Sequence, residues 1–383
     1  MPFSGLRVVA VEQAVAAPFC SRQLADMGAD VVKIERPNVG DPARSYDSAL
    51  HGESAYFAWL NRGKRSVVLD LSQAASREAL RRLVARADVF VHNLAPGAIE
   101  RLGFGYEALA ADLPRLIWCG ISGYGPDGPR RDSKAYDMLV QAESGVVALT
   151  GSPNEPAKVG ISIADISAGF YAYSSILTAL IQRGATGKGE CIDISMLECL
   201  TEWVTPPLYV WHGTGKSPAR AGVRHNMIVP YGAYPCADGA VMFAIQNAAE
   251  WCRFCEVVMQ APQLAEDPRF KTNADRLTHR VELEGLITER FASRTRAQVS
   301  ALLESADLAT ATVNEVPAVA SHEQLAARER WTTVRSPSGV IPALIPPHNL
   351  RSVSPRMGDI PRLGEHTEEV FGEIGLSPGN APS

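Results

Sequence analysis

The chain has 383 residues, 46% hydrophobic and 21% charged, with a formal net charge of −5. That is long enough for a sizeable core and more than one domain, in an ordinary soluble composition. The acidic balance argues against a general nucleic-acid binder, and no apolar run reaches the roughly 18 residues of a membrane-spanning helix.

The N-terminus, "MPFSGLRVVAVEQ", has no cationic stretch ahead of a long apolar run, so it does not read as a secretory signal. "LRVVAVE" (6–12) predicts a buried strand, "FCSRQLADMG" (19–28) a helix and "ADVVKIE" (29–35) a second strand. Strands follow at 65–71, 88–93 and 115–122, with an amphipathic helix at 76–87. Apolar strands interleaved with helices predict a parallel α/β sheet covered on both faces. A helix over 166–182 leads to a further strand at 189–196. Residues 205–226, rich in Pro, Gly and basic side chains, read as a linker. A smaller α+β domain is expected over 227–320, with a strand at 240–246 and helices at 280–293 and 296–305. Residues 316–331 read as largely helical and 336–350 as extended, before a final helix at 364–375.

Seven cysteines at irregular spacing point to a reducing, cytoplasmic location without a disulfide framework. Cys252 and Cys255 form a C-x-x-C with no second pair at zinc spacing, so they read as helix cysteines and no metal is expected.

The strand–loop–helix opening invites a dinucleotide reading, with Glu35 where a ribose-binding acid would lie. The loop "QAVAAP" (13–18) lacks G-x-G-x-x-G, which weighs against it. Sites in open parallel sheets lie at the carboxyl ends of strands. Arg36 and Asn93 fall there, and Arg36 suits a phosphate. Arg101 lies near the end of a Pro-started helix. In "KVGISIADISAGFYAY" (158–173), Asp165 precedes a helix. Local pattern leaves it open whether this carboxylate caps the helix or does chemistry.

The segments "GLRVVAVEQAVAAPFCSRQLADMGADVVKIERPNVGDPAR", "NRGKRSVVLDL", "ADVFVHNLAPGAIERLGFGYEAL", 149–198 and "PRMGDIPRLGEHTEEV" together resemble the class III CoA-transferases. That family includes formyl-CoA:oxalate and carnitine CoA-transferases and the related α-methylacyl-CoA racemases. The resemblance implies a Rossmann-like large domain built from both chain ends (1–204 and a return within 321–383). A smaller domain is inserted, and two chains interlock as a homodimer. It implies acyl-CoA and a small carboxylic acid as substrates, and no permanently bound cofactor. Asp165 aligns with the family nucleophile, with a backbone N–H at the following helix start as an oxyanion donor. Ala14, Val15 and Ala16 match the pantetheine loop, and Arg36 the residue at the adenosine end. Leu69, Asn93 and Leu94 match the adenine and pantetheine walls, and Arg101 a phosphate-binding Arg. Lys134 and Tyr136 match a Lys and Tyr beside the thioester. Ser72 stands where some members have Lys.

A racemase would carry His at the place of Tyr136, so transfer is the expected reaction, with racemisation the alternative. A non-catalytic acyl-CoA-binding protein is the reading from a different class. The run "HNMIVPYGAYP" resembles the branch acting on itaconate, mesaconate, malate or citramalate with succinyl-CoA. Arg44, Arg224 and His225 are its candidate holders of the distant carboxylate.

Overall fold

The computed structural model describes residues 1–376, which form two units. The larger comprises Met1–Gly145, Val159–Val204 and the chain from Gln324 on. Its centre is a six-stranded, wholly parallel sheet in the order β3-β2-β1-β4-β5-β6. The strands are β1 (Arg7–Val11), β2 (Asp30–Glu35), β3 (Arg65–Val68), β4 (Val89–His92), β5 (Ile117–Ser122) and β6 (Cys191–Ser195). They lie within the runs expected from sequence, because Val- and Ile-rich segments buried on both faces admit little else. Strand order reverses between β1 and β4, which opens a crevice at their carboxyl ends. One face buries Val9, Val32, Val67, Phe90 and Trp118.

Three helices place the site. Helix α1 (Ala16–Asp26) follows β1, α2 (Asp137–Glu143) follows β5, and α3 (Ile163–Thr186) leads to β6. Helix α3 stops at Gly187, whose φ of 73° supplies the left-handed residue common after a helix. α1 and α3 pack closely at Gly169, where a Cβ would lie 2.4 Å from the Ala16 carbonyl oxygen. Only glycine admits that approach.

The chain end returns along β3. Val68 N–H donates to Thr367 Oγ1 at 3.1 Å and His366 N–H to the Ser66 carbonyl at 3.0 Å. The final helix is Thr367–Glu373, and the segment expected to be extended forms a hairpin of Trp331–Ser336 and Gly339–Leu344.

The second unit comprises Val146–Lys158 and Thr205–Glu323. It has an antiparallel sheet of Gly239–Ala244 flanked by Tyr231–Cys236 and Thr310–Thr312. Two sequence expectations change here. Residues Thr205–Thr214 are helix rather than linker, since Pro206 and Pro207 sit in the first turn, where no helical N–H is lost. Residues 146–158 group with the second unit, tied down by Gly222 N–H to the Gly151 carbonyl (2.9 Å) and Arg220 Nε to the Ser152 carbonyl (2.9 Å). No helix among the described residues is long and apolar enough to cross a membrane.

Candidate active site

Two loops flank the crevice, one after β1 and one after β4. Asn93 clamps them together: its Oδ1 accepts from Gln13 N–H (2.9 Å) and its Nδ2 donates to the Gln13 carbonyl (2.8 Å). The crevice holds a cavity of about 770 Å³ lined by Ala14, Val15, Ala16, Arg36, Asn93, Leu94, Lys134, Tyr136 and Asp165. Nine residues singled out from separate parts of the sequence therefore meet in one place. A neighbouring cavity of about 300 Å³ at the ends of β2 and β3 shares Gln13, Arg36, Pro42 and Leu94 with the first and adds Leu69 and Ser72. The two cavities adjoin at these shared residues. Arg36 is exposed there with no acidic partner among the described residues.

Asp165 is the third residue of α3, not its cap; Ser162 holds the cap position without a side-chain bond. Capping is done instead by Asp137, at the start of α2. Its Oδ1 accepts from the backbone N–H of both Ala164 (2.8 Å) and Asp165 (3.1 Å). Its Oδ2 accepts from Gln141 Nε2 (2.6 Å), and Gln141 Oε1 takes Val159 N–H (2.9 Å). No donor among the described residues bonds the Asp165 carboxylate. Burial first, and the nearby Asp137 charge second, push that carboxyl up to about 7. The backbone N–H groups of Ala164 and Asp165 are committed to Asp137 and are not free to act as oxyanion donors.

A carboxylate kept ionised without hydrogen bonds destabilises the fold. Above pH 7 the wild type carries this charge; below it the carboxyl is neutral. Asp165→Asn is therefore expected to gain stability over the wild type progressively between about pH 4 and pH 7, with a smaller gain at pH 5 than at pH 8, where it is on the order of 2 kcal/mol after allowance for partial exposure. A pH series of thermal melts checks this, and equal melting shifts at both pH values would contradict it.

Other candidates fall elsewhere. The Arg44 guanidinium is spent on Glu35, which it grips through Nε and Nη2 at 2.8 Å each, while stacking 3.7 Å over Phe57. It is a structural cation, not a receiver for substrate carboxylate. Glu35, held down to about 2 by Arg44, Lys33 and Ser66 against its burial, is likewise no ribose ligand. Arg101 is exposed beside Gly97 and lines neither of the two adjoining cavities. Arg224 and His225 belong to the second unit. There Arg224 pairs with Glu284 (2.5 Å), and the His225 ring stacks on Tyr231 with Nδ1 accepting from Met227 N–H (3.0 Å).

Residues the sequence did not single out also face the site. Tyr46 and Tyr56 line the larger cavity and meet edge to face, 5.8 Å between ring centroids. Burial, with Asp41 and Asp165 nearby, raises the Tyr46 phenol. Asp137 lies next to Tyr136 in "SKAYDMLVQ", so its neighbour was visible; its bond to a helix 27 residues on was not.

Residues 3–367 match the family model described as CoA-transferase family III. The chain is 33% identical to the succinate–glutarate CoA-transferase of Agrobacterium fabrum, over 97% of this chain and 96% of that protein. It is 34% identical to the succinyl-CoA:mesaconate CoA-transferase of Haloarcula hispanica, over 98% and 96%. A crystal structure of a CaiB/BaiF family protein from Brucella suis aligns with TM-score 0.85 and 34% identity, covering 98% of this chain and 99% of that one. Likeness in sequence and in fold thus runs along the whole described chain, and the chain belongs to CoA-transferase family III, as a class III CoA-transferase.

Proposed function

We propose that this enzyme moves CoA from succinyl-CoA to a small dicarboxylic acid through covalent intermediates on Asp165. The observation that carries this is a carboxylate with no donor, facing a cavity whose wall is Ala14–Ala16 and which adjoins a second cavity at an unpaired Arg36. The relatives named for glutarate and mesaconate support a dicarboxylate acceptor.

An Asp165 oxygen attacks the thioester carbonyl, forming an acyl–aspartyl anhydride and releasing CoA thiolate. The thiolate attacks the aspartyl carbonyl, giving an aspartyl-CoA thioester and freeing succinate. The acceptor carboxylate attacks that thioester, giving a second anhydride and thiolate again. The thiolate then attacks the acceptor's carbonyl, giving the product thioester and regenerating Asp165. No net proton is consumed. The intermediates hydrolyse readily, which makes water exclusion part of the design. Lys134 and Arg36 are the cations available to the ligand's anionic groups, and Tyr136 sits beside the reacting carbonyl. Tyr136 stands where a racemase would carry His, which favours transfer over racemisation.

The test is incorporation of labelled dicarboxylates into CoA thioesters from succinyl-CoA. Hydroxylamine, which traps aspartyl thioesters, should inactivate the enzyme only in the presence of acyl-CoA and mark residue 165. Binding without exchange would favour a non-catalytic acyl-CoA-binding protein. Solvent exchange of the α-proton of a 2-methylacyl-CoA would favour the racemase. We further read the protein as an interlocked homodimer. An apolar groove of about 590 Å³ in the larger unit, lined by Phe19, Trp59, Phe170, Val334 and Ile341, supports a covered face. Light scattering should return twice the 41.2 kDa chain mass.

A further inference from the structure

We propose that the Lys33–Asp41 ion pair is a positioning device for the acyl-CoA wall, fixing the Ala14 peptide through a buried charge network beneath the crevice. Three anions and three cations meet there: Glu12, Glu35 and Asp41 with Lys33, Lys64 and Arg44. All but Arg44 are buried to at least nine-tenths. Lys33 Nζ lies 2.7 Å from Asp41 Oδ2 and 3.4 Å from Glu12 Oε1, and Lys64 Nζ lies 2.6 Å from the same Glu12 oxygen.

The network's contacts converge on the loop after β1 and the start of α1. Asp41 Oδ1 accepts from Ala14 N–H and Ala43 N–H, both at 2.9 Å. Glu12 Oε2 accepts from Ser21 Oγ (2.6 Å), and Lys64 donates to the Pro18 carbonyl (3.1 Å) in the first turn of α1. Loop and helix start are thus held at residues 12, 14, 18 and 21. Ala14 needs the hold, because its φ is 62°, in the left-handed region that an alanine seldom adopts. The Asp41 turn is itself fitted: a Cβ on Gly40 (φ 63°) would lie 2.8 Å from Glu35 Oε2.

Charges so deep are costly for a fold that needs only stability, since well-packed apolar residues do as well. What they supply here is a fixed acceptor facing one loop amide. Ala14 to Ala16 then face the cavity that Asp165 also lines. Lys33 and Asp41 act through that wall and touch no reacting atom.

This rests on the acyl-CoA reading of the cavity, and the test separates the two. Asp41→Asn keeps an acceptor for Ala14 N–H but loses the charge; Asp41→Ala loses both. The expected result is a KM for acyl-CoA raised about threefold in the first and about tenfold or more in the second. kcat at saturation stays within about threefold of wild type in both. Losses in kcat at unchanged KM, or losses matching the fraction unfolded, overturn the proposal. Hydrogen exchange on the wild-type enzyme without ligand is the second arm, and needs neither variant to fold nor the cavity to bind CoA. The Ala14 amide should exchange at least about a hundredfold slower than an open loop, and exchange at the open-loop rate overturns the proposal. Transfer surviving in Asp165→Ala would end the covalent reading while leaving the exchange result standing.

Discussion

Asp165→Ala is expected to keep its affinity for acyl-CoA and to lose transfer by roughly 10⁴-fold or more, the scale seen when a covalent nucleophile is removed. Nothing nearby can replace it. The nearby Asp137 has Oδ1 turned to two backbone N–H groups and Oδ2 to Gln141. Tyr136 carries a phenol and no carboxylate. Direct attack of an acceptor carboxylate on the thioester remains chemically allowed, but the thiolate then has no covalent carrier while the acids exchange. Affinity should survive because the CoA contacts proposed here lie on other elements: Arg36 after β2, Leu94 after β4 and Lys134 before α2. The measurement pairs label exchange from succinyl-CoA with calorimetric titration of CoA. Full exchange in the variant would rule out the aspartyl route, and loss of both exchange and binding would point to a collapsed site.

How far such a site is legible in sequence can be judged from its parts. The strands were readable because each is a short apolar run between breakers, and their carboxyl ends named Arg36 and Asn93 as candidates. Asp165 stood out only as an acid at a helix start; local pattern left a cap and a chemical role both open. In the structure the cap is Asp137, from a separate helix, and that is a tertiary fact no local pattern carries. The same limit explains Arg44. A cation after "VGDPA" looks available in one dimension; its Glu35 partner sits nine residues back and is brought to it by the turn at Gly40. Tyr231–Cys236 was missed as a strand because Gly232 and Pro235 interrupt its apolar run. Its pairing with Gly239–Ala244, through a tight turn, overrides that weak local preference.

The capping arrangement yields the second large effect. The proposed aspartyl route requires ionised Asp165, so in the wild type the rate should rise with pH through about 7, the value to which burial and Asp137 push that carboxyl. Asp137→Asn removes the neighbouring charge but keeps an oxygen for the Ala164 and Asp165 amides. The acid limb should then move down by about one unit or more, with burial holding it above the ordinary carboxylate range. A less basic carboxylate is a weaker nucleophile, so kcat at pH 8 should fall by roughly 2-fold to 10-fold. Asp137→Ala goes further. It leaves the first turn of α3 uncapped, at a cost of about 1 kcal/mol, and exposes Asp165 to the positive end of the helix, which lowers its pKa again. Charge and cap thus separate: both variants shift the pH profile, and only the alanine should lose stability. A profile unmoved in Asp137→Asn would mean that burial alone sets the basicity of Asp165. An unmoved profile with lost stability in Asp137→Ala would reduce Asp137 to a helix cap. If both shifts appear, the two carboxylates work as one unit, in which the first is held by backbone amides so that the second is left free to react.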